Sequence, residues 1–336
     1  QHLTSLTIFL IYLNNLQKDL PKRINLDALI YSETYGEKSF NLDVPERKNC
    51  LDALYLTGEY NVKDSDDETV KNIAERYDDI QELFPDELKG AALPFFIDWL
   101  IQNVVLVVIT AYSDDNAYTI FETMNDRGLN LTPSEMLKGY LLSKVRTTDQ
   151  RDKINIVWKA EIKKLHNLWE ESDLTFFQAW LRGKYAVSIR PGKIGAANED
   201  FEKIGTRFHT WVKDNNSKIG ISNPNDFYEF VNTDLVFYSK LFSKIYEARR
   251  TLTTGLNHLY FSAQWGFANS LADPLLISSI LISDDETTIN KKLNLVARFI
   301  ETFAVYRGAN YRNFSQSSIR YTMYNLVLEL RDKSIN

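Results

Sequence analysis

The sequence predicts a mainly α-helical protein, a bundle-like helical body with a small α+β portion near the N-terminus. Three observations carry this. Apolar residues recur at helical spacing from the first turn, with Leu3, Leu6, Leu10 and Leu13 opening the pattern. Strand signals are confined to residues 26–43 and to a short β-branched run at 104–110. The remainder reads as helices separated by polar, Gly- or Asn-rich loops around 191–200, 214–226 and 251–257, with no repeat of solenoid period. At about 150 residues per domain, a chain of 336 residues holds about two domains, and the division is expected near Val145 (1–145, then 146–336).

Taken in order, residues 3 to about 18 form a buried helix that Pro21 ends. Between Leu26 and Asp43, two runs rich in Ile, Tyr and Phe flank Tyr35-Gly36, the pattern of a hairpin or two short strands. Asp64 to Glu68 place acidic residues before a helix running through Leu83, where they complement its dipole. The same residues have the outline of a calcium loop with Glu75 at its twelfth position, but Thr69 stands where the sharp turn needs glycine. Val104 to Ile109 reads either as a buried strand or as the end of the preceding helix. Asp114 or Asp115 then caps a helix through Met124. Thr132, Pro133 and Glu135 make a capping box for a helix to about Val145. Farther on, Trp158, Trp169 and Trp180 recur every eleven residues and read as core anchors rather than a platform for bases.

Composition narrows the function. Hydrophobic residues at 44% and charged residues at 25% are ordinary globular usage, and a net charge of -6 lacks the global basic excess of a protein that coats nucleic acid. A single cysteine, Cys50, forms no internal disulfide, and four scattered histidines supply no Cys/His zinc cluster. A reducing, cytoplasmic setting is expected, without a membrane. The most apolar stretch, Leu93 to Thr110, is interrupted by Asp98, Gln102 and Asn103. The chain opens at Gln1 without methionine and enters a helical pattern at once, which predicts that it starts inside a longer sequence.

Several chemistries lack their anchors. There is no phosphate loop of the G-x-x-x-x-G-K-[ST] type, no G-x-S-x-G elbow, no H-E-x-x-H and no C-x-x-C. His166, His209 and His258 sit in helices or at helix edges without metal-ligand spacing, and are expected to be structural or exposed; no metal site is expected.

The most informative segment is Phe121-Glu-Thr-Met-Asn-Asp-Arg-Gly-Leu-Asn-Leu-Thr-Pro-Ser-Glu-Met-Leu-Lys138. A helix ends, a polar turn containing Gly128 follows, and a boxed helix begins at Thr132. Asn125, Asp126 and Arg127 in one tight loop bring together an amide, a carboxylate and a guanidinium fork, a natural set for holding phosphate. This run, with Ala117 to Phe121 before it and Glu135 to Leu142 after, closely resembles the Asn-Asp-Arg-Gly segment of the GmrSD-type restriction endonuclease N-terminal family. Gln1 to Leu6 resembles the second half of that family's Asp-Gly-Gln-Gln-Arg motif. Gln1 matches the second glutamine, His2 stands where the family has arginine, and the first half of the motif would precede residue 1. Arg298 to Arg307, with Asn310 to Asn313, resembles the family's helical part.

The resemblance implies a component of a modification-dependent, type IV-like restriction or phage-defence system, with a ParB/sulfiredoxin-like domain that binds NTP with Mg2+ and senses modified DNA. A separate HNH domain or subunit cuts in that family, and this chain holds no counterpart of it. The nucleotide-binding residues implied are Gln1, His2, Asn125, Asp126, Arg127 and Gly128. A helix starting near Leu3 would offer backbone N-H groups to a phosphate. The change at His2 bears on hydrolysis, because neutral histidine forms no bidentate fork. A second surface is drawn from the residues themselves. Between Arg298 and Tyr324, Arg298, Arg307, Arg312 and Arg320 interleave with Phe303, Tyr306, Tyr311, Phe314, Tyr321 and Tyr324, a composition that stacks bases and grips phosphates. Arg298, Arg307, Tyr311 and Arg312 are its candidate DNA-binding residues. The alternative to the nucleotide-dependent reading is a non-catalytic helical module that binds DNA or a protein.

Overall fold

The computed structural model describes residues 2–34, 37–41, 45–63, 66–105, 131–193 and 195–335. The chain forms two compact units, residues 1–109 and 110–336, each with its own hydrophobic core.

In the first unit, helix α1 (His2–Leu16) buries Ile8, Ile11, Tyr12 and Leu13. It ends one turn before Pro21, and the Gln17 side chain then clamps the returning chain. Its amide donates to the Ile24 carbonyl at 2.7 Å and accepts from the Ile24 N-H at 2.9 Å. After the short α2 (Asp27–Ile30), strands β1 (Tyr31–Thr34) and β2 (Glu37–Phe40) pair antiparallel, with Tyr31 opposite Phe40 and Ser32 opposite Ser39. The Tyr31 and Phe40 rings stack at 4.5 Å, the kind of cross-strand pair that holds a short hairpin. Helices α3 (Pro45–Thr57) and α4 (Glu68–Leu83) pack on α1. The Asp67 carboxylate caps α4 by accepting from the Thr69 N-H at 2.8 Å. Helix α5 (Leu93–Asn103) completes the unit and buries Leu93 and Ile97. It ends at Asn103, and Val104 and Val105 are exposed irregular chain, so neither a buried strand nor a helix begins the 104–110 run. Residues 106–110, the expected helix to Met124 and two residues of the calcium-like outline, Asp64 and Ser65, lie outside the described residues.

The second unit is helical throughout its described residues. Helix α6 (Pro133–Lys144) starts with the expected box: the Thr132 hydroxyl accepts from the Glu135 N-H at 3.2 Å, and the Glu135 carboxylate accepts from the Thr132 N-H at 2.8 Å. Its Leu137, Tyr140 and Leu141, with Val145, belong to the second core. The two compact units divide at 109/110, and the apolar face of α6 is buried with the later helices. Helices α7 (Thr148–His166), α8 (Ser172–Lys184) and α9 (Asp200–Asp214) follow, then α10 (Asn216–Ile219) and α11 (Pro224–Glu229). A π-helical turn at 230–235 leads into α12 (Val236–Arg250). The chain closes with α13 (Asn257–Ala263), α14 (Asn269–Ser278), α15 (Glu286–Ala309) and α16 (Gln316–Leu330).

At the centre, Trp180 stacks on Phe230 at 4.8 Å and on Tyr238 at 5.3 Å. Trp158 is buried against Phe177, while Trp169 is half-buried against Tyr246. Helices α8 and α14 approach closely at Gly183, where a Cβ would lie 2.8 Å from the Pro274 carbonyl oxygen. Three cations then close the carbonyl ends of these helices. Lys184 donates to the Ser278 and Ile280 carbonyls and to Asp332, Lys292 to the Ser279 carbonyl and Asp284, and Arg331 to the Gly183 and Ala186 carbonyls.

Candidate nucleic-acid interface

Of the residues expected to hold nucleotide, Gln1, Asn125, Asp126, Arg127 and Gly128 lie outside the described residues. His2 is the first residue of α1.

The second expected surface is described, and the structure sorts its members. Along α15, Phe299, Thr302, Phe303, Tyr306 and Asn310 repeat at helical spacing. With Arg307 and Arg312 they line an open groove of about 380 Å³ that has no carboxylate among its lining residues. Arg307 is held in place: its guanidinium lies 5.5 Å from the Phe303 ring centre and donates through Nε to the Asn313 carbonyl at 3.0 Å. Arg312 is brought back beside it because its N-H bonds the Arg307 carbonyl at 2.8 Å. That tight return forces Tyr311 to a φ of 54° and leaves its side chain 99% exposed. Arg298 is exposed on the same helix but does not line the groove, since nine residues at about 100° each place it opposite Arg307.

Of the other members, Tyr321 is exposed, while Phe314, Arg320 and Tyr324 serve the core. Tyr324 is buried against Phe201, Phe314 packs on the core, and Arg320 pairs with Glu202 at 3.2 Å. The reason is the phase of α16, whose Ile319, Met323 and Val327 face inward and carry Tyr324 with them. Composition alone had missed Phe299 and Thr302. Their signal was the i, i+3, i+4 spacing that joins them to Phe303 and Tyr306.

Three of the histidines have local partners. His166 Nε2 lies 3.1 Å from Asp173, His258 Nδ1 lies 2.7 Å from Glu301, and His209 packs edge-on against Phe208. Among the described residues no group of three or more His, Cys, Asp or Glu is placed to hold a metal ion, and no helix is long and apolar enough to cross a membrane.

A guanidinium pair beside aromatic rings, with Arg312 exposed and Arg307 half-buried, can engage a phosphate and stack on a base, which is the chemistry of single-stranded nucleic-acid grooves. Comparison with known families adds a further observation: residues 1–142 match the family described as GmrSD restriction endonuclease, N-terminal domain. Over those residues the chain is similar to that family. The match takes in all of the first unit and runs through most of α6, a helix whose apolar face lies in the second core. The likeness supports a restriction-system component. No curated protein and no solved structure matches the chain.

Proposed function

We propose that this chain is the NTP-binding, DNA-sensing part of a modification-dependent restriction system, and that an HNH nuclease domain or subunit performs the cut. The observation that carries the reading is the family match, whose span contains both the Gln1-His2 start and the Asn125 to Gly128 loop. In this reading Gln1, His2, Asn125, Asp126, Arg127 and Gly128 contact the nucleotide. The guanidinium of Arg127 neutralises phosphate, and Mg2+ shares that charge. Arg307, Arg312 and Tyr311 contact DNA. Calorimetric titration with GTP, ATP, CTP and UTP in the presence of Mg2+ tests it. One nucleotide is expected to bind, and Arg127→Ala to abolish the heat; no binding, or binding indifferent to that change, removes the reading.

The groove on α15 favours a second reading, a helical module that engages DNA without turning over nucleotide. Binding to modified and unmodified duplexes across a salt series separates the two. Loss of Arg312 should weaken binding and lower the slope against log salt by about one. If DNA is not bound at any salt while a nuclease co-purifies, the module is a protein-interaction one.

A further inference from the structure

Beside the groove on α15 stands a ring whose placement the core does not explain. Among the described residues two non-glycine backbones have positive φ, Tyr311 at 54° and Asp332 at 58°. Both occupy a conformation that a side chain disfavours and that persists where something holds it. At Asp332 the core holds it: the N-H donates to the Ser278 carbonyl at 3.0 Å, and the carboxylate accepts from Lys184. At Tyr311 backbone alone closes the turn, with the Tyr311 N-H on the Gly308 carbonyl at 3.0 Å and the Arg312 N-H on the Arg307 carbonyl at 2.8 Å. The side chain is 99% exposed and makes no hydrogen bond or ring contact among the described residues. Both faces of the ring are therefore free, and it contributes nothing to packing.

Tyr311 does not itself line the groove, but its chain neighbours Asn310 and Arg312 do. Ring surface continues along the groove through Tyr306 and Phe299, which are 67% and 39% exposed. The Arg312 guanidinium is exposed and makes no ion pair or hydrogen bond among the described residues. Arg307 is fixed by two bonds to the Asn313 carbonyl, from Nε at 3.0 Å and Nη2 at 2.5 Å, which leave three of a guanidinium's five donors. No carboxylate lines the groove, whereas the chain as a whole carries a net charge of -6. A polyanion is drawn to this surface against the charge of the whole molecule.

Rings and cations together distinguish one form of DNA from the other. A duplex keeps its base faces stacked on one another and offers phosphates and base edges, which would use the guanidiniums and leave the rings idle. An unpaired strand offers phosphates and base faces together. Resting on the reading that this groove engages DNA, we infer that its occupant is an unpaired stretch of strand, with a base stacked on Tyr311 and phosphates held by Arg312 and Arg307. Tyr311 supplies the preference for unpaired over paired DNA, and the two arginines supply affinity for either. No particular base is selected, because every base has a π face.

The experiment measures, by fluorescence anisotropy, binding of the full chain to an oligothymidylate of about 16 nucleotides, to a duplex of the same length, and to that duplex with a central unpaired bubble. The single strand and the bubble are expected to bind about tenfold more tightly than the duplex, the scale of one stacked base. Tyr311→Gly removes the ring and keeps the turn, since glycine adopts the left-handed φ freely. It should bring single-strand affinity down to that of the duplex, while Tyr311→Phe retains the preference. Arg312→Ala should weaken both forms and lower the slope of log affinity against log salt, by about 0.7 for the single strand and about 0.9 for the duplex. In the unaltered protein, a strand bearing 5-iodouracil should photo-cross-link within the peptide Gly308-Ala-Asn-Tyr-Arg312. Duplex bound as tightly as single strand, a preference that survives Tyr311→Gly, slopes unchanged by Arg312→Ala, or cross-links confined to other peptides overturns the inference and leaves the DNA reading standing. Failure of all three DNAs to bind removes that reading, and the inference with it.

Discussion

The two units solve burial differently. In the first, residues 1–109, the buried polar side chains are the neutral Thr4, Thr7 and Gln17, and the core is aliphatic with an aromatic cluster of Phe9, Tyr12, Tyr77 and Phe84. In the second, Glu161, Asp173, Asp200, Asp273 and Lys292 are all buried and all partnered: Glu161 with Ser239 and Lys164, Asp200 with Trp211 Nε1 and the Val187 N-H. A charge removed from water costs several kcal/mol unless a partner meets it. A larger unit buries a larger fraction of its surface and tolerates such groups, where a core of about a hundred residues has less to offset them. The difference teaches where specificity resides. The family signature begins in the first unit, whereas the charged side chains that are buried among the described residues lie in the second.

The largest expected effect breaks a charge pair in the second unit. Arg249→Met leaves Asp273 buried without its cation. Burial already holds that carboxyl above its ordinary range, with Arg249 pulling it down. Urea unfolding should show a loss of about 4 kcal/mol, and a loss under 1 would break the comparison. Next is a truncation in the first unit: Leu51, fully buried in α3, has only apolar packing to lose. Leu51→Ala should cost about 3 kcal/mol with no dependence on pH between 5 and 8.

The smallest effect is the one that sharpens the contrast. Asp234 lies in the π-helical turn, and burial, aided by the charge of Glu229, raises its carboxyl to about 6. A carboxyl raised on folding favours the folded state most at low pH, and that contribution is lost as pH rises through about 6. Asp234→Asn should therefore be more stable than the parent by about 1 kcal/mol at pH 8, with the gain shrinking towards pH 4. A gain of equal size at both pH values would show that the carboxylate charge is not its source.

Much of the local architecture was legible beforehand. The capping box at Thr132 and Glu135, the acidic start of α4 and the hairpin around Tyr35-Gly36 each depend on residues within a few positions of one another. The tryptophans were correctly read as anchors for Trp158 and Trp180. What misled was composition taken without phase. Arg320 and Tyr324 carry the same letters as Arg312 and Tyr311, yet α16 turns the first pair towards Glu202 and Phe201. The Val104-Val105 run has the composition of a buried strand, but both residues are exposed after α5 ends. Neither α-helical phase across a loop nor the presence of a covering element can be read from a short window.

The sequence by itself determined the helical class, the single hairpin among the described residues, the helix caps and the family signature at residues 117–142, because these rest on hydrogen bonds and spacings local to the chain. Only the tertiary structure decided that α6 belongs to the second core, that Arg307 and Arg312 share a groove from which Arg298 is absent, and that Asp273 meets Arg249 beside Trp169. Those pairings join residues that are distant in sequence, and they exist because burying one apolar face against another brings together polar groups that no spacing rule connects.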